Sequence, residues 1–146
     1  MAKPKSDGRL VFVWQGADYP LVPAGDYQAV CTGWQGPVWV RRYRRWSLRL
    51  EFTLFSDGQC VSAFFNLGNS KRGIHIGRRS RFYRAWCLAN GEPPRKGQQM
   101  ALETFLDEGL LYWVRVADAK TDENDEAKPD AMIYSRVTDL LRVERK

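Results

Sequence analysis

Histidine is nearly absent from this chain of 146 residues: His75 stands alone. A lone histidine cannot build a histidine-based metal site, and no cysteine or carboxylate is spaced to complete one with it. Cysteine is scarce as well. The three thiols, Cys31, Cys60 and Cys87, are far apart and form no CxxC pair, which argues against a disulfide framework and against zinc. Each lies in an apolar stretch, where cysteine behaves as a small core residue, and a reducing, cytoplasmic setting fits. There is no run of roughly 18 or more apolar residues, so no membrane span is expected. The N-terminus begins basic but lacks the apolar run and small-residue cleavage site of a secretory signal. No GKS or GKT closes a phosphate loop, and no serine sits in a GxSxG context. The sequence therefore shows no enzyme signature, and neither a cofactor nor a metal is expected.

Core-forming material is plentiful. The composition is 44% hydrophobic and 13% aromatic, which suits one folded domain rather than a disordered chain. Residues 1–20 read as an N-terminal arm in which Leu10 to Trp14 is a candidate extra strand, and residues 21–146 as a single domain. Charge is distributed unevenly. Residues 27–91 contain eleven Arg or Lys against only Glu51 and Asp57, whereas the remainder carries twelve bases and fifteen acids. Net charge is thus +9 in the first segment and −3 elsewhere, giving +6 in total. Concentrated positive charge of this kind is the electrostatic footprint of a polyanion binder.

Periodicity is clearest over residues 45–54. Trp46, Leu48, Leu50, Phe52 and Leu54 alternate with Arg45, Ser47, Arg49, Glu51 and Thr53, as in a strand with one buried face. Asp26 to Trp34 precedes it as a first strand. Ser56-Asp57-Gly58 is a hairpin turn, and Cys60 to Leu67 the return strand. After a Gly-rich basic loop, Ser80 can cap a helix over Arg81 to Ala89, ended by Asn90-Gly91. Met100 to Phe105 reads as a strand or a short turn. Leu110 to Ala117 and Ala131 to Val143 are the last two strands. Between them lies an acidic loop holding Asp118, Asp122, Glu123, Asp125, Glu126 and Asp130, without EF-hand spacing. The expected fold is all-β: a five-stranded OB-like Greek-key barrel with one helix between strands 3 and 4. The alternative is an α+β sheet with one packed helix.

Two clusters are candidate nucleic-acid-binding sites. The first holds Trp39, Arg41, Arg42, Tyr43, Arg44, Arg45 and Arg49. On the OB-like reading, Gly36 to Arg44 is the loop joining strands 1 and 2, which flanks the binding groove. Arginine's planar fork gives phosphate two parallel charge-assisted bonds, and exposed aromatic faces stack bases. Trp39 and Tyr43, with Trp34 beside them, are the stacking candidates, and inward packing as core is their competing role. Trp46 shares the buried face with Leu48 and is expected in the core. The second cluster holds Lys71, Arg72, Arg78, Arg79 and Arg81, with Arg84 following in the helix. Gly73 and Gly77 let the backbone approach a phosphate, and the helix N-terminus adds partial positive charge. A solvated loop is the plainer reading, but a solubilising surface usually mixes signs.

Several segments carry a resemblance. VPAGDY at 22–27, the alternating strand ending in a turn, FYRAW in the helix and YSRVTDLLRV near the C-terminus resemble proteins of bacterial phages, plasmids and integrative elements. Some of these are similar in layout to small phage-encoded OB-type single-stranded DNA-binding proteins. The resemblance spans roughly residues 20–144 and implies a role in replication or recombination of a mobile element. It implies no individual site residue. The chain departs from such proteins in its terminal RVERK, which replaces an acidic, aromatic-tipped tail, so partner recruitment through such a tip is not expected. The expected partner is single-stranded DNA or RNA, bound with little sequence preference. The alternative is a protein-interaction module, an inhibitor or adaptor whose exposed RRYRRW segment docks an acidic protein partner.

Overall fold

The computed structural model describes residues 22–119 and 134–145. The expected N-terminal arm with its Leu10–Trp14 strand, and the acidic stretch beyond Ala119, lie outside the described residues. Five strands form a closed barrel. They are β1 (Gly25–Val40), β2 (Arg45–Leu54), β3 (Cys60–Asn66), β4 (Leu110–Ala119) and β5 (Tyr134–Arg145). Their order around the barrel is β1-β2-β3-β5-β4. All neighbouring pairs are antiparallel except β3 and β5, which run parallel.

After β3 the chain forms α1 (Arg81–Asn90) and then a separate 3-10 helix over Leu102–Leu106 before β4 begins. The described residues hold one α-helix, after β3, and the segment read as strand or turn forms the 3-10 piece instead. Both pieces pack at the barrel because their apolar residues have nowhere else to go. Phe82, Ala85, Trp86 and Ala89 recur at helical spacing, and all four are buried. Phe105 supplies the buried contact of the 3-10 helix.

Closure depends on β1 serving two neighbours. Its first half pairs with β4 over Gly25–Ala29, and its second half with β2 over Ala29–Val40. A strand bends this far only where its ladder is interrupted. Irregularities fall between Cys31 and Gly33 and between Gln35 and Val38. Gly36 sits at the second, with φ +91°, and a Cβ there would meet the Ser47 carbonyl oxygen at 2.9 Å. Glycine is the residue that fits this approach.

The alternation read over residues 45–54 is realised in β2. Leu48, Leu50, Phe52 and Leu54 are fully buried, each contributing about 1.5–3 kcal/mol by leaving water. Val61, Ala63 and Phe65 of β3, Tyr112, Val114 and Val116 of β4, and Val137 of β5 complete the barrel interior. Phe52 and Tyr112 meet edge to face, with ring centroids 5.4 Å apart. The Tyr112 hydroxyl donates to the Phe105 carbonyl at 2.8 Å, tying the 3-10 helix to the core.

The termini of α1 are satisfied locally. The Ser80 hydroxyl accepts from the Tyr83 backbone N–H, and Gly91 closes the helix in the left-handed region, its N–H donating to the Cys87 carbonyl. Arg145 of β5 adds a guanidinium that donates to the Leu88 and Ala89 carbonyls at 2.9 and 2.7 Å. It therefore sits where the helix dipole favours a cation.

The cysteines do not behave alike. Cys31 is buried, Cys87 half-buried and Cys60 exposed. Cys60 opens β3, and because Val61 points inward, strand alternation turns Cys60 outward; the expectation that all three are core residues fails there. Burial pushes the Cys31 thiol up to about 11 from 9.0, and Tyr112 is raised by the same cause. A raised folded-state value means the neutral thiol is favoured by folding. This stabilisation is complete below pH 9, where the unfolded thiol is also protonated, and is lost as pH rises towards 11. Chemical denaturation at a series of pH values is expected to show stability falling by up to about 3 kcal/mol over that window through Cys31. Cys31→Ala is expected to flatten that part of the profile.

Candidate nucleic-acid interface

The segment expected as a loop, Gly36 to Arg44, is mostly strand. β1 continues to Val40, and beyond the irregularity at Gly36 the ladder resumes with Val38, Trp39 and Val40 opposite Ser47, Trp46 and Arg45. The Gly36-Pro37 pair, which reads as turn chemistry in the sequence, is absorbed in that irregularity. Only Arg41–Arg44 forms the turn. It is closed by backbone bonds from Tyr43 N–H to the Val40 carbonyl and from Arg44 N–H to the Arg41 carbonyl. The result is a β-hairpin whose tip is almost entirely arginine. Arg41, Arg42, Tyr43, Arg44 and Arg45 are all exposed.

Arg44 has φ +50°, the one described non-glycine residue in the left-handed region. A side chain there costs about 1 kcal/mol or more. Arg44→Gly is therefore expected to raise stability by roughly 0.5 kcal/mol in thermal or chemical melts, the relieved strain exceeding the entropy that glycine adds to the unfolded chain. The same change removes one positive charge from the hairpin tip.

The aromatic side chains divide into two roles. Trp34 packs against the core. Trp46 is half-buried against the core and donates its indole N–H to the Ser70 carbonyl at 2.9 Å. Trp39, opposite Trp46, meets it edge to face at 5.6 Å and is itself half-buried. Tyr43 is 42% exposed, with the Arg45 guanidinium 4.9 Å and the Arg42 guanidinium 6.0 Å from its ring. Tyr43 is thus the freely presented ring at the tip, and Trp39 buttresses the hairpin from one side.

The hairpin does not stand alone. Trp46 N–H donates to the Gly68 carbonyl, and Leu67 N–H to the Trp46 carbonyl. Together with the indole bond to Ser70, these pin the start of the second basic segment against the hairpin. Lys71 and Arg72 directly follow Ser70, so the structure brings them beside the first cluster. Arg78 and Arg79 are exposed immediately before the Ser80 cap. Among the described residues, Arg41, Arg44, Lys71, Arg72, Arg78 and Arg79 form no ion pair. Their charge is left to act on solution.

Arg49 and Arg81 are placed differently. Arg49 lies half-buried on the outer face of β2, donating to the Ser62 hydroxyl at 2.8 Å and lying 3.7 Å from the Glu51 carboxylate. Arg81 spans the junction of β3 and β5, donating to the Phe64 and Thr138 carbonyls at 3.5 and 2.6 Å. Its guanidinium also lies 5.4 Å from the Phe65 ring. Much of its bonding capacity is therefore spent holding the barrel closed.

Strand register reveals members of this face that the sequence reading missed. Gln35 pairs with Arg49, and Arg49 with Phe64. Paired residues project from the same side of a sheet, so the three form a row across β1, β2 and β3. The Arg49 guanidinium lies 5.9 Å from the Phe64 ring. The next row runs from Glu51 through Ser62 to Arg136 of β5. One signal was available. Phe64 and Phe65 are consecutive in a strand, so one of them must face outward.

No protein-family model and no curated protein matches this sequence. The functional reading therefore rests on the geometry of this face.

Proposed function

We propose that this protein binds single-stranded nucleic acid, single-stranded DNA in particular, and acts as a binding protein rather than an enzyme. The observation that carries the reading is the Gln35–Arg49–Phe64 row on the outer face of β1–β2–β3, flanked by an arginine-tipped hairpin to which a second basic segment is pinned. We read the barrel as OB-like, since its five strands close with β3 beside β5 and the hairpin joins β1 and β2 next to the exposed face. In barrels of that kind the β2–β3 face and the loop between the first two strands take the strand. Arginines at the tip would neutralise phosphates, and Tyr43 and Phe64 would stack bases. Service in replication or recombination of a mobile element belongs to the same proposal and rests on the sequence resemblance.

Phe64→Ala tests the face directly. Loss of a stacked base is expected to cost roughly 1–3 kcal/mol of binding to a single strand, with little change in the salt dependence, because no phosphate contact is removed. Unchanged affinity would remove the β2–β3 face from the site. A second reading is favoured by the exposure of Val38 and Tyr43 beside the arginines, which would equally suit an acidic protein surface. Purified protein that carries nucleic acid, released by high salt, would favour the first reading. A preparation free of nucleic acid that retains an acidic protein through the hairpin would favour the second.

A further inference from the structure

β3 and β5 meet over only two residue pairs, Ser62 with Arg136 and Ala63 with Val137. Beyond them the strands part, and Arg81 bridges the gap by donating to the Phe64 and Thr138 carbonyls. Beside this bridge lies a cavity of about 280 Å³ lined by Phe64, Arg81, Arg136, Val137, Thr138 and Asp139. It falls just below the roughly 300–1,000 Å³ of sites for drug-sized ligands, the scale of a single nucleobase. It also adjoins the Arg49–Phe64 row, so a strand crossing that face passes its mouth.

The groups around the cavity are chemically selective. Phe64 offers an aromatic wall. Among the described residues the Arg136 guanidinium makes no hydrogen bond or ion pair; the Asp139 carboxylate makes no hydrogen bond or contact ion pair, and its charge acts at longer range on Arg115 opposite it, whose guanidinium is bonded to Asp26 at 3.1 Å. The site therefore presents a planar double donor and a double acceptor. Guanine is the base with two adjacent acceptors on one edge, O6 and N7, and two adjacent donors on another, N1–H and the 2-amino group. Arginine paired with O6 and N7 is the commonest guanine-specific contact. Adenine lacks the N1–H, thymine lacks the amino group, and cytosine lacks an edge with two adjacent donors.

We propose that the cavity between β3 and β5 accepts one guanine of the bound strand, with Arg136 on its O6/N7 edge, Asp139 on its N1–H and 2-amino edge, and Phe64 against its ring. This rests on the nucleic-acid reading above and adds a base preference to it.

The test compares the full chain on a thymine strand of roughly 15 nucleotides and on the same strand with one central guanine, by fluorescence anisotropy. The guanine strand is expected to bind at least about fivefold more tightly. Inosine, which lacks the 2-amino group, should lose part of that gain. Asp139→Asn should abolish the guanine preference while leaving affinity for the thymine strand within about twofold, and Arg136→Gln should abolish the preference and also weaken the thymine strand through its lost charge, with melting temperatures confirming that both variants fold. Equal binding of the two strands by the unaltered protein would overturn the pocket and leave the general reading standing. A guanine preference that survives in both variants would also overturn it. Binding to neither strand would overturn the nucleic-acid reading together with the pocket.

Discussion

Alanine at Arg41, Arg42, Arg44 and Arg45 together is expected to reduce affinity for a single strand by orders of magnitude at low salt while leaving the fold intact. All four residues are exposed on the hairpin tip, so removing them opens no cavity. The diagnostic quantity is the dependence of binding on salt. Each neutralised phosphate of a single strand contributes roughly 0.7 to the slope of log K against log salt, through counterion release. Loss of four such contacts should flatten that slope by nearly 3. Arg95 and Lys96, exposed after α1 and outside the proposed face, supply the control. Replacing them removes the same sign of charge but should change the slope far less. A slope that falls in proportion to the charge removed, half as far for the Arg95 and Lys96 pair as for the four hairpin arginines, would mean the hairpin acts only through net charge. A slope unaltered in the fourfold variant would remove the hairpin from the site.

Trp86→Ala should produce the largest loss of stability. Trp86 is 1% exposed in the middle of α1, and its indole N–H donates to the Ala101 carbonyl at 2.9 Å. Truncating a buried tryptophan to alanine costs about 3–5 kcal/mol. Domains of this size hold only about 5–15 kcal/mol in all. A fall in Tm of roughly 10–20 °C is expected, measured by calorimetry or circular dichroism. Trp86→Phe retains most of the volume and should lose much less. The effect should reach the proposed binding face, because α1 carries Arg81 across the junction of β3 and β5. A Tm within a few degrees of the unaltered protein would mean that α1 contributes little to holding the barrel.

The parts of this fold that were legible in the sequence are those set by local pattern. Residues 45–54 alternate without interruption, so β2 and its buried face could be read directly. Ser80 and Gly91 bracket α1 because capping is a local event. The hairpin was not legible at its true length. Gly36-Pro37 reads as a turn, and only the ladder between Val38–Val40 and Arg45–Ser47 shows that β1 resumes beyond it. Arg81 reads as one more base in a basic run. Its engagement with two carbonyls depends on where β3 and β5 diverge, which is a tertiary property. Phe64 and Arg136 join the site for the same reason. They lie 72 positions apart in the chain and come together because β3 pairs with β5 at Ser62 and Arg136. The charge asymmetry was visible from composition, but its focus on one hairpin and one pinned loop required the Trp46–Ser70 bond.

The most direct measurement is the affinity of the full chain for a labelled strand of roughly 30 nucleotides, single-stranded and as a duplex of the same sequence, by anisotropy at several salt concentrations. Tighter binding of the single strand, weakening steeply with salt, is the expected result, because exposed bases are needed to reach Tyr43 and Phe64 while the arginines hold phosphate. Absence of binding to either form at low salt would contradict the account, and preference for the duplex would contradict the assignment of Phe64 and the outer sheet face as the surface that takes the bases.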